Sequence, residues 1–362
     1  MKVAIMGAGL SGLACAITLE KHGISPAVFE KRERLGDRFV NGESLLSLLH
    51  KPITDPVAFF AEKHGIYLKP TASIQKMLVF SPSKKAEIEG SMGFVNYRGR
   101  HEHAFEMQLG QQVKSTIHYR SKATYEELLM EYTHVVVATG DGEYAMKMHN
   151  FQADLTVSLK GAMVKGRFDR YTPCAWLDYS YMAKGYGYLL PLSDTEANLV
   201  MAYPDDPEND QLDVDERWGA FCERVCRDLQ QPLRITSHFH VTGYPIGICH
   251  RARIGNTFFV GNCFGAMMPF LGFGQFAALL TGIYAAHDIC GKGAYEELTK
   301  PLRRSYENSL VLRRAMGRLE NKDFDRIIPL LGSRWGESAL QSKSFDVLPW
   351  LAFVLRPWMK KR

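Results

Sequence analysis

The stretch KVAIMGAGLSGLACAITLEKHGISPAVFE (residues 2–30) decides how the chain is read. Residues 2–6 are an apolar run of strand length, and GAGLSG (7–12) follows at once. Residues 13–19 carry a helical apolar pattern, and 26–30 read as a second strand ending in an acid. Strand, glycine turn, helix and acid-tipped strand together are the context in which GxGxxG binds a dinucleotide. Gly7 makes the tight turn, Gly9 lets a pyrophosphate approach the backbone, and Gly12 lets helix and strand pack closely. Leu10 and Ser11 open the helix, whose unpaired N–H groups face the phosphates. Glu30, 18 positions beyond Gly12, is placed to take both ribose hydroxyls. A secretory leader would leave Glu30 without a role, and a purely structural glycine turn needs none of these spacings.

Composition narrows the remaining classes. A chain of 362 residues, 46% hydrophobic, can bury a large core and is expected to form two intertwined domains. Its formal charge of +5 is mild and its basic residues are scattered, which argues against nucleic acid as a partner. Seven cysteines without a CxxC pair read as reduced thiols of a cytosolic protein, not as metal ligands or disulfides. His101, His103 and His118 lie in a turn and a separate strand, so no metal is expected there either. Residues 258–286 contain no charge, but their glycines and Pro269 rule out one regular helix. That segment is read as a buried cofactor-binding stretch, not a membrane span.

Other segments add candidates in order. Lys31 and Arg38 follow the first motif, and a buried diphosphate needs a cation such as Arg38. A helix is expected from Ser44 to His50, beside the cofactor. Arg98 opens a turn-and-helix segment (98–112) and joins the cofactor candidates. THVVVATG (133–140) reads as a buried parallel strand whose last residues, Ala138, Thr139 and Gly140, allow close approach to a nucleotide. Residues 154–242 change to aromatic-rich strands around a hairpin turn, SDTE (193–196), so an antiparallel sheet is expected. Trp176, Tyr186 and Tyr188 are the substrate-pocket candidates on it. Residues 213–229 read as an amphipathic helix and 294–332 as a helical brace. GFGQFA (272–277) matches GxGxxA, but with no strand closely before it and no acid-tipped strand after it, a second dinucleotide site is rejected.

Three separated segments, GAGLSG with Glu30, the ATG of 138–140, and VGNCFGAMMPFLGFGQFAAL (260–279), together resemble the flavoprotein superfamily of para-hydroxybenzoate hydroxylase fold. Within it the chain is most similar to the geranylgeranyl reductase-like FAD oxidoreductases. GYGYLLPL (185–192) is similar to that family's Tyr-x-Trp-x-Phe-Pro strand, with Tyr186, Tyr188, Leu190 and Pro191 at corresponding places. The resemblance implies an α/β fold: a Rossmann-like FAD-binding domain (1–50, 98–153, 243–293), an antiparallel-sheet substrate domain (51–97, 154–242) and a helical C-terminal region (294–362). It implies that Gly261, Asn262, Pro269, Gly272, Phe273 and Gly274 also contact FAD, with Asn262 standing where the family has aspartate. It implies a reductase or dehydrogenase of an apolar, prenyl or lipid-like substrate, with hydride passing through the flavin and NADPH or NADH as a transient donor. A flavin monooxygenase and an FAD-binding protein without turnover are the alternatives, and no catalytic acid or base is named.

The tail FDVLPWLAFVLRPWMKKR (345–362) combines an apolar run, Trp350 and Trp358, and the basic residues Arg356, Lys360, Lys361 and Arg362. That is the composition of a segment lying in the headgroup region of a membrane. The competing reading is a tail folded back on the protein's own core. The expected location is cytoplasmic, with peripheral membrane contact through this tail.

Overall fold

The run Val3–Met6 is buried along its whole length and becomes strand β1, flanked on both sides by other strands. The computed structural model describes residues 1–342 and 347–356. In chain order the next strands are β2 (Ala27–Phe29), β3 (Asn41–Leu46), β4 (Ala72–Phe80), β5 (Lys85–Arg98), β6 (Ile117–His118) and β7 (His134–Val137). They are followed by β8 (Phe151–Lys165), β9 (Cys174–Trp176), β10 (Tyr186–Pro191) and β11 (Glu196–Pro204). The last three are β12 (Arg234–Cys249), β13 (Arg253–Ile254) and β14 (Thr257–Phe259). Helices are α1 (Leu10–Lys21), α2 (Pro56–His64), α3 (Phe105–Gly110), α4 (Tyr125–Glu131), α5 (Glu143–Lys147) and α6 (Pro207–Asp210). The longer ones come later: α7 (Val214–Asp228), α8 (Gln275–Ile289), α9 (Tyr295–Met316), α10 (Asn321–Leu331), α11 (Arg334–Gln341) and α12 (Val347–Leu355).

Two sheets carry the chain. The first has the order β13-β14-β7-β1-β2-β6 and is parallel except where β13 meets β14. Its inner strands β1, β7 and β14 are short, mostly apolar runs, as both-face burial demands. The second has eight strands, β12-β8-β11-β10-β9-β4-β5-β3, all antiparallel neighbours except the parallel pair of β4 and β9. On its back lies α7, started by Asp213, whose carboxylate accepts from the N–H groups of Asp215 and Glu216. That helix buries Trp218, Phe221 and Val225 against the sheet.

One expected helix is absent. Residues Ser44 to Leu46 belong to β3, which pairs with β5 from Asn41–Arg98 to Leu46–Gly93, and only a 3₁₀ turn follows at Ser47–Leu49. Pairing with the long β5 overrides the helical leucine spacing. Gly93 permits the closing approach, because a Cβ there would lie 2.2 Å from the Leu45 carbonyl oxygen. Thus β3, and β12 as far as Cys249, join the second sheet, although the sequence reading groups 1–50 and 243–293 with the nucleotide-binding part.

Helix α8 crosses α1 at Gly282, where a Cβ would stand 2.0 Å from the Ser11 carbonyl oxygen. Behind α8, α9 anchors to the first sheet through the Tyr295 hydroxyl, which donates to the Phe259 carbonyl at 2.7 Å. In turn α12 lays Leu351, Ala352 and Leu355 on Val311 and Leu312 of α9. No described helix is long and apolar enough to cross a membrane. The crossing of α1 and α8 gives a first test. Gly282→Ala should destabilise the fold by about 1–3 kcal/mol, read as a lower denaturant midpoint, because backbone must move to admit the methyl. A neutral result would show that the two helices have room to part.

Candidate functional site

Among the described helices, α1, α3, α5, α8 and α9 start without a side-chain cap bond, and two of these starts, those of α1 and α8, follow glycine-rich loops. Helices α2, α4 and α7 are capped by Asp55, Thr124 and Asp213. By contrast α1 begins at Gly9 and α8 at Gly274, neither with a side-chain cap bond. The first-turn N–H groups of both therefore remain for a ligand. The glycines around α1 divide by function. At Gly7, whose φ is +116°, a Cβ would meet the Ala138 oxygen at 2.2 Å, and at Gly12 it would meet the Gly7 oxygen at 2.0 Å. A Cβ on Gly9 would meet nothing within 4 Å, which is the open side a phosphate needs.

That open side faces a cavity of about 1470 Å³. The cavity reaches from the glycine loop (Gly7, Gly9, Leu10, Ser11) past Glu30, Lys31 and Arg38 to Ala138, Thr139 and Gly140. It also takes in Arg98, Gly261, Asn262 and the loop residues Pro269, Gly272, Phe273 and Gly274. Gly12 alone of the cofactor candidates stands behind the wall, where it serves packing. Glu30 lies at the end of β2, and its carboxylate accepts from the N–H groups of Ala8 and Arg32 at 2.9 Å each. Asn262 is tied sideways: its amide donates to the Gly140 carbonyl at 3.1 Å and to the Tyr244 hydroxyl at 2.6 Å.

The start of α8 carries a further signal. Gln275 is buried, lines the cavity, and neither its Oε1 nor its Nε2 has a partner among the described residues. An orphaned buried amide beside an uncapped helix start is what a polar ring edge would satisfy. Ahead of it, Leu271 sits at φ +62°, in the left-handed region, and its carbonyl accepts from the Tyr186 hydroxyl at 2.8 Å. Tyr186 thus ties the loop to the second sheet. Tyr188 follows on the same face of β10, its ring 6.1 Å from that of Tyr186. Both line the cavity, and burial pushes the Tyr186 phenol up to about 12 and that of Tyr188 well above the ordinary value.

Trp176, expected beside them, is elsewhere. Its neighbours Ala175 and Leu177 line the cavity, so strand alternation sends Trp176 to the other face. There it stacks on Phe80 at 5.1 Å, meets Phe221 edge-on, and donates from Nε1 to Asp228 at 2.8 Å. It is a core residue of the α7 layer.

Four charges that the sequence reading only half found share one partly buried cluster. Arg98 pairs with Glu43 and, at 2.9 Å, with Glu106. Arg38 approaches the same carboxylates at 3.3 and 3.7 Å, and its Nε has no partner among the described residues. Arg98 is therefore committed to its carboxylates, while Arg38 keeps a donor for a ligand. Burial alone would raise the Glu43 carboxyl, but Arg98 and Arg38 outweigh it and hold it below its ordinary value. Sequence reasoning also missed Tyr244, Gln275 and the stacked pair of Phe39 and Phe239, 4.3 Å apart. Gln275 occupies a variable position of GFGQFA, and the others belong to no spaced motif. Burial raises the Cys263 thiol to about 11, so it stays protonated near neutral pH. Among the described residues there is no cluster able to hold a metal ion. Of the C-terminal candidates, Trp350 and Arg356 are described, while Trp358, Lys360, Lys361 and Arg362 lie outside the described residues.

The charge cluster predicts a pH signature. Because the Glu43 pKa is depressed in the fold, its contribution is present above the ordinary carboxylate range and lost as pH falls through the folded value. Arg98→Met leaves Glu43 and Glu106 facing burial without their main partner, which should cost about 3–5 kcal/mol near neutral pH. The freed Glu43 carboxyl would then titrate upward, so the deficit should narrow by pH ~5, measured by urea unfolding across pH. A deficit that widens on acidification would contradict this electrostatic account.

Comparison with known proteins agrees with this geometry. Residues 5–43 match the family described as NAD(P)-binding Rossmann-like domain. A search of curated protein sequences finds no match. A geranylgeranyl bacteriochlorophyll reductase-like protein from Thermoplasma acidophilum superposes with a TM-score of 0.70 at 15% identity, over 98% of each chain. A flavin-dependent brominase gives 0.68 at 15% identity, over 99% of this chain and 98% of its own. An oxygenase of 2-methyl-3-hydroxypyridine-5-carboxylic acid gives 0.61 at 16% identity, over 94% and 95%. The chain thus has a Rossmann-like nucleotide-binding segment set in an α/β fold that it shares, over nearly its whole length, with flavin-dependent oxidoreductases.

Proposed function

We propose that this chain is an FAD-dependent oxidoreductase, and specifically a reductase or dehydrogenase of an apolar, prenyl or lipid-like molecule. The observation that carries the reading is the continuity of the cavity. One space joins two uncapped helix starts to a chamber walled by apolar side chains such as Met77, Ile88, Met92, Phe270 and Phe324. Its 1470 Å³ exceeds the roughly 300–1,000 Å³ of an ordinary small-molecule site, so a dinucleotide and a second molecule fit together.

The residues present suit FAD. The start of α1 and the spare Nε of Arg38 would hold the pyrophosphate, Glu30 the adenosine ribose, and Asn262 a hydroxyl of the ribityl chain. The start of α8 and the Gln275 amide would face the polar edge of the ring. Bound there, FAD would supply hydride transfer, with NADPH or NADH as a passing electron donor. The protein's part is to keep water from the apolar chamber, to hold the loop at Leu271 through Tyr186, and to offer the protonated Tyr188 phenol as proton donor. A flavin monooxygenase is the second reading, supported by the fit of the fold to a halogenase and, at a lower TM-score, to an oxygenase. An FAD-binding protein without turnover is the third.

Heat-denatured, deproteinised protein should release FAD, detected by chromatography, and NAD or nothing in the supernatant would end this reading. Glu30→Ala should weaken FAD about 10–100-fold in titrations of apoprotein, as expected for lost charge-assisted bonds, and Asn262→Ala about tenfold or less. The reverse order would show that the ribose assignment is wrong. Anaerobic reduction followed by oxygen separates the two enzymes. A reductase returns to the oxidised spectrum without a peroxide-adduct absorbance, and a monooxygenase passes through one.

A further inference from the structure

Arg313 stands on the cavity side of α9 among apolar neighbours. The same part of the helix gives the cavity Leu312, Ala315 and Met316, so the charge at 313 is set into an apolar wall. From residue 148 on, the described lining of the cavity contains no Asp or Glu, and Arg313 and Arg318 are its cations. Arg318 lies beyond the end of α9 and is exposed to solvent, whereas Arg313 is partly buried. Arg313 is thus the charge that the apolar chamber itself contains.

At the nucleotide end, Arg98 and Arg38 show what such a charge ordinarily needs, since both face Glu43 and Glu106. Arg313 has no carboxylate within ion-pair distance among the described residues. Its Nη2 donates to the Lys184 carbonyl at 2.9 Å, which orients the guanidinium without neutralising it. Asp206, whose charge reaches Arg313, is held by the Lys184 ammonium at 2.7 Å. Glu208, 3.5 Å from the same ammonium, is 66% exposed. Burial pushes the Arg313 guanidinium below its ordinary value, yet an arginine remains charged in a protein. A cation set in an apolar wall without a counter-ion is costly, and an anion bound in the chamber removes that cost.

Charge and shape select the anion. A single unpaired cation is balanced by a monoanion, whereas a diphosphate would bring surplus negative charge into the apolar wall. Most of the N–H donors of Arg313 remain for a ligand, in a planar fork that matches the two oxygens of a carboxylate. The position is equally restrictive. The Arg313 charge reaches the Tyr186 phenol, partly offsetting the upward push of burial there. We propose that Arg313 anchors the carboxylate of an otherwise apolar substrate, so that the substrate is a lipid-like carboxylic acid. This rests on the apolar-substrate reading given above and narrows it. The acid end lies beside Tyr186, and the hydrocarbon lies along Met316, Phe324 and the rest of the apolar wall.

The test is calorimetric titration of the full chain with decanoate, decan-1-ol and decyl phosphate. The wild type should bind decanoate about tenfold or more tighter than decanol, because the hydrocarbon is shared and only the acid gains charge-assisted bonds. Decyl phosphate, which carries more negative charge near neutral pH, should bind more weakly than decanoate. Arg313→Gln keeps a donor for the Lys184 carbonyl and removes the charge, so acid and alcohol should bind it alike, each about as tightly as the alcohol binds the wild type. Arg313→Lys keeps the charge and should retain part of the preference. Equal binding of acid and alcohol by the wild type overturns the proposal, and that measurement needs no variant to fold. So does tighter binding of decyl phosphate, or an acid preference that survives Arg313→Gln. Identical behaviour of the two variants, or loss of acid and alcohol together in Arg313→Gln, would assign Arg313 a purely structural role and also overturns it. Decanol binding without an acid preference leaves the apolar-substrate reading in place, whereas binding of none of the three removes both. Flavin content, read from the absorbance spectrum, is decided separately: flavin-free protein that prefers the acid keeps the anchor and loses the enzyme.

Discussion

Ser11 is where the elements around the cavity's glycine loops are forced together. Its carbonyl oxygen would be 2.0 Å from a Cβ on Gly282, and its Oγ would be 2.5 Å from one on Gly261. Residues 11, 261 and 282 are far apart in sequence, yet they touch at backbone distance because two of them lack a side chain. The start of α1, the turn after β14 and the middle of α8 are therefore fixed relative to one another. Gly7 extends the same logic to β7, since it lies against the Ala138 carbonyl. Close packing of backbone, more than any hydrogen bond, sets the distance between the two uncapped helix starts.

Around that fixed centre most polar groups are paired within the protein, and some are left open toward the cavity. The Glu43, Glu106, Arg98 and Arg38 cluster is balanced in charge, which keeps buried ions tolerable beside an apolar chamber. Gln275 and the Arg38 Nε are among the buried groups left unsatisfied, and these two border the cavity. The division matters for function because an unpaired buried donor lowers stability until something binds to it. The second sheet contributes the apolar wall, with the aromatic side of β9 turned away from it toward α7.

How much of this was legible in the sequence depended on the length scale of the signal. The glycine motif, Glu30 and the 138–140 segment announce themselves by local spacing, because turn, helix start and acid-tipped strand are all made within about 30 residues. The loop before α8 was recognisable by resemblance and by its run of glycines around Pro269. Trp176 was misplaced because composition marks an aromatic strand without saying which face is inward, and one residue of phase reverses the answer. Ser44 to His50 read as helix because leucine spacing is local, while its pairing with β5 is not. Tyr244, Glu43 and Glu106 gave no signal at all, since each becomes part of the site only through contacts with residues distant in sequence.

Leu271 has a consequence for how the two layers communicate. A side-chain-bearing residue in the left-handed region costs on the order of 1–2 kcal/mol, and the hydroxyl of Tyr186 on β10 helps to hold it there. The loop's shape therefore depends on the position of a strand in the other sheet. Any molecule that shifts β10 as it fills the apolar chamber also shifts the anchor of the strained carbonyl, three residues from the end of the uncapped turn that starts α8. Occupancy of one half of the cavity would in this way be written into the geometry of the other half, and molecules in the two halves would be coupled through a single phenol.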